Sequence, residues 1–428
     1  MTDEHKTSHK LTIRILVGML AGALLGILIN VLAHHPSTQS IGLWLTEYGA
    51  NGLFHIIGKA FVALLQVIVI PLVVVSLTCG TAALDDIRRL GRVGIKTVLL
   101  YLMTTAIAIS MALAAALLFK PGNNFTLDVS SDFEATTPPS LSEVIINIFP
   151  SNIFSEMAEG NMLPIILFSI LLGLSISLAG ESGKRILGLF NDLNEVIMKL
   201  VWVIMSLAPF GVFALIAKTF STQGYEAFLP LLKYFILVIG VLCLHFLVTY
   251  PLMLKLLSGL NPFPFLAKMR NVQIFAFSTA SSNATIPINL QNLETRLGVK
   301  NSIASFTVPL GATINMDGTA IMQGVATVFI AQVYGVQLEL IDLMMIILTA
   351  TLASIGTAGV PGVGLIMLAM VLTQVGLPVA GISLIIGIDR LLDMIRTAVN
   401  VTGDAAVSCI VAKSEGELDL DTFNAKAD

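Results

Sequence analysis

The segment Gly387 to Asp404, GIDRLLDMIRTAVNVTGD, sets carboxylates, guanidinium groups and an amide inside an otherwise apolar stretch. On a helix advancing about 100° per residue, Asp389, Asp393, Arg396, Asn400 and Asp404 fall within an arc of roughly 80°, with Thr397 at its edge. Arg396 offers a planar fork for a carboxylate, Asp393 suits an ammonium group, and Asn400 can serve a carboxylate or a cation. A charged side chain at mid-membrane depth costs about 2.5–3.5 kcal/mol, so a lipid-facing stripe would lose on the order of 10 kcal/mol. The stripe therefore faces protein, water or a ligand. It is either a buried structural ion-pair network or, more in keeping with intramembrane ionisable groups, an ion or substrate pathway.

Two further sets bear oxygen ligands. In LGATINMDGTAIMQG, residues 310–324, Asn315, Asp317, Gly318 and Thr319 interrupt an apolar segment, and glycine beside Asn and Asp favours local unwinding. Unwound backbone frees carbonyls, which with a carboxylate suit a hard cation such as sodium; the structural alternative is that Asp317 caps a half-helix. Tyr101, Thr104 and Thr105 put hydroxyls on one helical face, although threonine hydroxyls in membrane helices usually bond back to the preceding turn.

The elements that carry these residues are membrane helices. Of 428 residues, 56% are hydrophobic and 12% charged, with a mean hydropathy of +0.90; soluble domains carry about 25% charged residues. The fold class is all-α and polytopic. Candidate spans lie at 11–33, 52–83, 93–119, 143–180, 186–222, 226–256, 301–332 and 381–413. The polar N-terminus and the long first apolar run give no sign of a cleaved signal peptide. Lys6, Lys10 and Arg14, then Arg88, Arg89 and Arg92, Lys184 and Arg185, and Lys255, Lys268 and Arg270 all fall on one side if the chain starts inside, which makes both termini cytoplasmic. The fourth span, with Pro150, Pro164 and the run SEMAEGN, is expected to be broken.

Two stretches, 261–295 and 338–378, are interrupted by FSTASSNATIPIN and SIGTAGVPGVG. Each reads as a re-entrant helical hairpin that unwinds at a small-residue tip. Paired with 301–332 and 381–413 they form an inverted repeat, which points to a binding site at the midplane. Cys79, Cys243 and Cys409 have neither disulfide nor metal-ligand spacing and read as packing residues. His245 is the histidine deepest in a span, and reads as packed or hydrogen-bonded rather than as a proton relay. Two intramembrane aspartates raise an aspartyl protease, but Arg396 biases carboxylates toward ionisation and the hairpins have no role in one; no catalytic site, phosphate loop or metal motif is present. A pure channel is the other rival class.

The order SSNAT, NMDGT, SIGTAGVPG and DMIRTAVNVTGD closely resembles the dicarboxylate/amino acid:cation symporters, in particular prokaryotic sodium-coupled aspartate and glutamate transporter homologues, over essentially the whole chain. The resemblance implies eight transmembrane helices, two re-entrant hairpins and a homotrimer working as an elevator in the cell inner (plasma) membrane. Its scaffold would comprise 1–92, mainly trimerisation helices, and 143–222; its transport domain would comprise the helix in 93–142 and residues 226–413, followed by a cytoplasmic tail, 414–428. It implies import of L-aspartate or L-glutamate with sodium as coupling ion and no organic cofactor. Membrane lipid would be a partner, and nucleic acid would not.

By the same resemblance, substrate contacts are Ser281, Ser282, Thr319, Val360 to Gly364, Asp393, Arg396, Thr397 and Asn400. One sodium set is Gly311, Asn315, Asn400 and Asp404. A second is Thr313, Ser354, Ile355 and Thr357, and a third is Tyr101, Thr104, Thr105, Asn315 and Asp317. The chain departs from relatives at Ala280 and Met394, where archaeal and animal members respectively carry an arginine; its spare arginine is Arg390, three residues before Asp393. Gln323 stands where animal members have a glutamate linked to potassium coupling, so no potassium counter-transport is expected. Proton coupling and a C4-dicarboxylate substrate are the alternatives within transporters.

Overall fold

The computed structural model describes residues 3–82, 92–123, 146, 149, 151–224, 228–355, 359 and 361–425. Among these, the backbone is helical almost throughout, and the only β-type pairing is an isolated bridge between Val299 and Leu418. Four helical runs are long and apolar enough to cross a membrane, Ile13–His34, Gln39–Cys79, Arg92–Phe119 and Phe228–Ser258; Gly180–Ser206 with Ala208–Thr222, bent by 46°, makes a fifth if taken as one span. The remaining expected spans take other forms, for physical reasons visible in their residues. The segment 143–180 breaks into Ile153–Glu159 and Met162–Leu178, separated by Gly160 at φ 78°. The segment 301–332 unwinds in its middle. The last span is one helix of 34 residues whose polar stripe lowers its average hydrophobicity.

We name the helices α1 (Asp3–His34), α2 (Gln39–Trp44), α3 (His55–Ala82), α4 (Arg92–Phe119), α5 (Ile153–Glu159), α6 (Met162–Leu178), α7 (Gly180–Ser206) and α8 (Ala208–Gln223). They continue with α9 (Phe228–Leu244), α10 (Tyr250–Ser258), α11 (Pro262–Thr279), α12 (Ser282–Thr295), α13 (Asn301–Ile314), α14 (Asp317–Val333), α15 (Leu340–Ser354), α16 (Val363–Gln374), α17 (Ile382–Glu415) and α18 (Leu420–Asn424). Leu45–Phe54 and His245–Thr249 are π-helical links.

Small residues set the close crossings. Gly18, Gly22 and Gly26 repeat every four residues along α1, and a Cβ on each would come within 2.5, 2.6 and 2.6 Å of the carbonyls of Pro209, Phe213 and Ala217. Helix α1 thus lies directly on the backbone of α8, as small-residue stripes allow between membrane helices. Elsewhere α3 packs on α6 and α7, while α4, α9, α11 and α13 surround α14 and α17. Helix α4 meets α14 at Gly324, whose added Cβ would lie 2.9 Å from the Ala112 methyl.

The chain after α17 folds back on the hairpin α11–α12. Lys300 N donates to Glu417 O (3.1 Å) and Asp419 N to Gly298 O (2.8 Å). The buried Lys268 ammonium donates to the carbonyls of Arg296, Thr422 and Phe423 at 2.9, 2.7 and 2.8 Å. Of the three cysteines only Cys409 is buried; Cys79 is half-buried and Cys243 is exposed on the outer face of α9, so the expectation that all three are packing residues holds for Cys409 alone.

Candidate substrate and cation sites

Helices α11 and α12 form one hairpin, α15 and α16 the other, and their tips touch. Ala280 ends α11 in the left-handed region at φ 49°, a conformation costly for a residue with a Cβ, which turns the chain sharply into Ser281. Ser281 caps α12, accepting from Ala284 N at 3.2 Å, and its hydroxyl donates to Gly359 O at 2.8 Å; Asn283 N donates to the same carbonyl at 3.2 Å. Gly359 must be glycine for this contact: a Cβ would sit 2.8 Å from Ala312 O and 2.9 Å from Asn283 Oδ1.

Beneath the joined tips lies a cavity of about 20 Å³, lined by Ser282, Thr319, Gly364, Asp393, Thr397 and Asn400 among others. That is room for a water or so, far below the few hundred Å³ typical of ligand pockets. Arg396 lies directly behind, its Nη2 3.2 Å from where a Cβ on Gly364 would be. It is fully buried and donates to Asp389 Oδ1 (2.7 Å), Asp389 Oδ2 (3.3 Å) and Asp393 Oδ1 (2.9 Å). Asp393 Oδ2 accepts from Arg390 Nη1 at 3.3 Å and from Gly362 N at 3.2 Å. Two guanidinium groups and two carboxylates thus balance in charge within the buried cluster, and Asp393 ties α17 to the second hairpin. The Thr397 hydroxyl donates to its own helix at Asp393 O (2.8 Å).

The unwound point between α13 and α14 falls at Asn315 and Met316, as the residues 310–324 predict. Met316, not Asp317, occupies the cap position of α14, so Asp317 does not cap a half-helix. Gly318 lets the first turn of α14 rest on α17, since a Cβ there would lie 2.8 Å from Arg396 O; the Gly318 amide then donates to Asn400 Oδ1 at 2.7 Å.

The residues expected as the first cation set lie together and are joined by hydrogen bonds. Asn315 Nδ2 donates to Asp404 Oδ1 (2.9 Å) and Asn400 O (3.2 Å), and Asn315 N donates to Gly311 O (2.8 Å). Most of the third set gathers as well: Thr104 Oγ1 lies 3.3 Å from both Asn315 Oδ1 and Asp317 Oδ1, and Thr105 Oγ1 donates to Asp317 Oδ1 at 2.7 Å. Tyr101 stands beside them with its hydroxyl turned to Thr307 O at 2.9 Å. In the second set, the Thr313 and Ser354 hydroxyls donate back to Leu310 O (2.9 Å) and Thr351 O (2.7 Å), and Ile355 ends α15 in an extended conformation. Thr357 and Val360 lie outside the described residues. Among the described residues no group of three or more His, Cys, Asp or Glu gathers as a metal site.

Three residues of the site were not among the expected contacts. Asp389 belongs to the polar stripe but holds Arg396 from below. Tyr250 OH donates to Asp317 Oδ2 at 2.9 Å, and His245 Nε2 lies 3.1 Å from the same oxygen. The π-helical turn His245–Thr249 lets both side chains reach it, with their rings edge-to-face at 4.6 Å. Their sequence signal is a hydrogen-bonding ring five residues from another inside an apolar run.

An apolar helical chain with a buried charged cluster beneath two facing hairpin tips is built as an integral membrane transporter. The chain belongs to the sodium:dicarboxylate symporter family, which it matches over residues 11–414. It is 39% identical over 370 residues to the proton/sodium-glutamate symport protein of Geobacillus stearothermophilus, covering 84% of this chain and 87% of that one. It is 36% identical over 375 residues to the proton/glutamate-aspartate symporter of Escherichia coli strain K12, covering 85% of each. To the C4-dicarboxylate transport protein of Rhodospirillum rubrum it is 34% identical over 377 residues, covering 85% of this chain and 83% of that one.

Proposed function

We propose that this protein imports aspartate or glutamate together with sodium ions across the plasma membrane, with both termini cytoplasmic. The observation that carries the reading is the buried ion pair of Asp393, on the wall of the cavity under the hairpin tips, with Arg396 directly behind it. An acidic amino acid brings a side-chain carboxylate to Arg396, an ammonium group to Asp393, and an α-carboxylate to Asn400 and the backbone N–H groups of the hairpins. Because the cavity is small, the second hairpin lifts to admit substrate and closes over it. Sodium ions occupy the set around Asp404 and the set around Asp317, displacing the internal hydrogen bonds now seen there, and the set of Thr313, Ser354, Ile355 and Thr357 beneath the second hairpin.

In this reading the protein is a homotrimer of eight transmembrane helices and two re-entrant hairpins per protomer. Helices α1, α3, α6, α7 and α8 form the static scaffold, and α4 with α9–α17 move past it as an elevator. A C4-dicarboxylate is the less favoured cargo, since it has no ammonium group for Asp393. The test is isothermal calorimetry of aspartate and glutamate at a series of sodium concentrations and at two pH values. Affinity that rises with sodium supports the proposal; affinity flat in sodium and dependent on pH transfers it to proton coupling.

A further inference from the structure

The first two turns of α3 and the C-terminal half of α8 bring His55, Lys59 and Lys218 together. Lys218 Nζ lies 2.6 Å from His55 Nδ1. An ammonium group only donates, so Nδ1 accepts, and the imidazole is neutral with its proton on Nε2. Lys59, one turn beyond His55, repels both partners electrostatically. Among the described residues no carboxylate lies within ion-pairing distance of any of the three. The cluster therefore presents N–H donors and positive charge, with no acceptor and no internal counter-ion.

Its depth is set by the helices. Helix α3 ends at Ala82, ten residues before the Arg92 that approaches Glu415, so its first turn is at the end of the bundle opposite the C-terminal tail. The continuous run Gln39–Cys79 has 41 residues, about 60 Å of helix and longer than a whole bilayer of about 40–45 Å. One hydrocarbon thickness of about 30 Å is about 20 helical residues, so counting back from the Ala82 end of α3 the hydrocarbon region ends close to Lys59, and the exposed Trp44 and Tyr48, with ring centroids 5.5 Å apart, lie beyond it on the water side. Ile56, 65% exposed, shares the face of Lys59. Lysines at this boundary lie within reach of anionic headgroups.

We propose that His55, Lys59 and Lys218 bind the phosphate of an anionic phospholipid headgroup in the leaflet opposite the C-terminal tail. The site is separate from the substrate cavity and lies on the helices assigned above to the scaffold. The experiment compares the full-length protein with K59Q/K218Q and K59R/K218R by native mass spectrometry and thermal unfolding, with phosphatidylglycerol, phosphatidylcholine or inorganic phosphate added. A lysine near an anionic surface is worth about fivefold in affinity, so the double glutamine variant should bind phosphatidylglycerol about 25-fold more weakly, and the double arginine variant as the wild type does. Phosphatidylcholine and inorganic phosphate should produce a smaller stabilisation in all three. If the double glutamine variant does not fold, the exposed Lys59→Gln alone should still lose about fivefold. Equal phosphatidylglycerol affinity in wild type and variants overturns the proposal. So does inorganic phosphate acting as well as the lipid, which would make this a soluble-anion site, or a change of oligomeric state with no change in lipid binding, which would make it a contact between copies.

Discussion

Arg396 grips Asp389, two turns back on the same helix, through both terminal nitrogens at 2.7 and 3.3 Å. The same Nη2 reaches Asp393 at 2.9 Å, while Nε has no hydrogen-bond partner among the described residues. The guanidinium is therefore oriented by α17 itself, so that in the proposed binding mode it need not be ordered when substrate arrives.

Replacing Arg396 by Cys should abolish binding of acidic substrates while sparing that of a small neutral amino acid. Loss of one partner from a desolvated charge pair costs about 2–5 kcal/mol, roughly thirty- to several-thousand-fold in affinity. Calorimetry with aspartate and with serine separates the two; retained aspartate affinity would make Arg396 purely structural.

Closure of the hairpin tips should couple sodium to substrate. Gly359→Ala drives a Cβ against Ala312 O and Asn283 Oδ1, so it should part the tips and weaken aspartate binding. Val363, 1% exposed, provides the reporter: Val363→Cys should be protected from thiol reagents most when sodium and aspartate are both present. A hundredfold rise in aspartate affinity with sodium corresponds to about 2.7 kcal/mol of coupling, and reciprocity requires the same factor for sodium. A cysteine equally reactive under all conditions contradicts the gate.

The Asp317 cluster should tune cation affinity. Thr105→Ala removes the 2.7 Å donor to Asp317 Oδ1 and, in the proposed mechanism, one cation ligand, whereas Tyr250→Phe removes only a hydrogen bond to Oδ2. The first should shift the sodium dependence of aspartate binding to higher concentrations. The second should shift it less and cost about 1 kcal/mol of stability. Sodium titrations indistinguishable from wild type for Thr105→Ala would remove this set from the coupling mechanism.

Lys268 clamps the tail to the first hairpin. Lys268→Met leaves the carbonyls of Arg296, Thr422 and Phe423 without their donor, and an unsatisfied buried polar group costs about 1–3 kcal/mol. A lower Tm with substrate affinity largely kept is the expected result; an unchanged Tm would show that the tail contributes nothing to stability.

Much of the site was legible because its residues are expensive where they stand. The stripe from Asp389 to Asp404 had to be buried, and it is; Asn315 beside Asp317 and Gly318 had to unwind, and the helix breaks there. Side-chain partners were harder to read. Nothing in a regular helical periodicity tells that His245 and Tyr250 converge on Asp317, because the π-helical turn His245–Thr249 shifts their direction. Likewise the Arg396–Asp389 contact competes with every other carboxylate on the stripe. The close packing of Gly18, Gly22 and Gly26 on α8 became visible only in the structure, because spacing alone names no partner helix.

The central claim is tested most directly by uptake of labelled aspartate and glutamate into proteoliposomes, with an inward sodium gradient, an inward proton gradient, or choline replacing sodium on both sides. Sodium-driven accumulation that generates a membrane potential and disappears in choline is the result predicted here. Uptake that persists unchanged in choline and follows the pH gradient would contradict it.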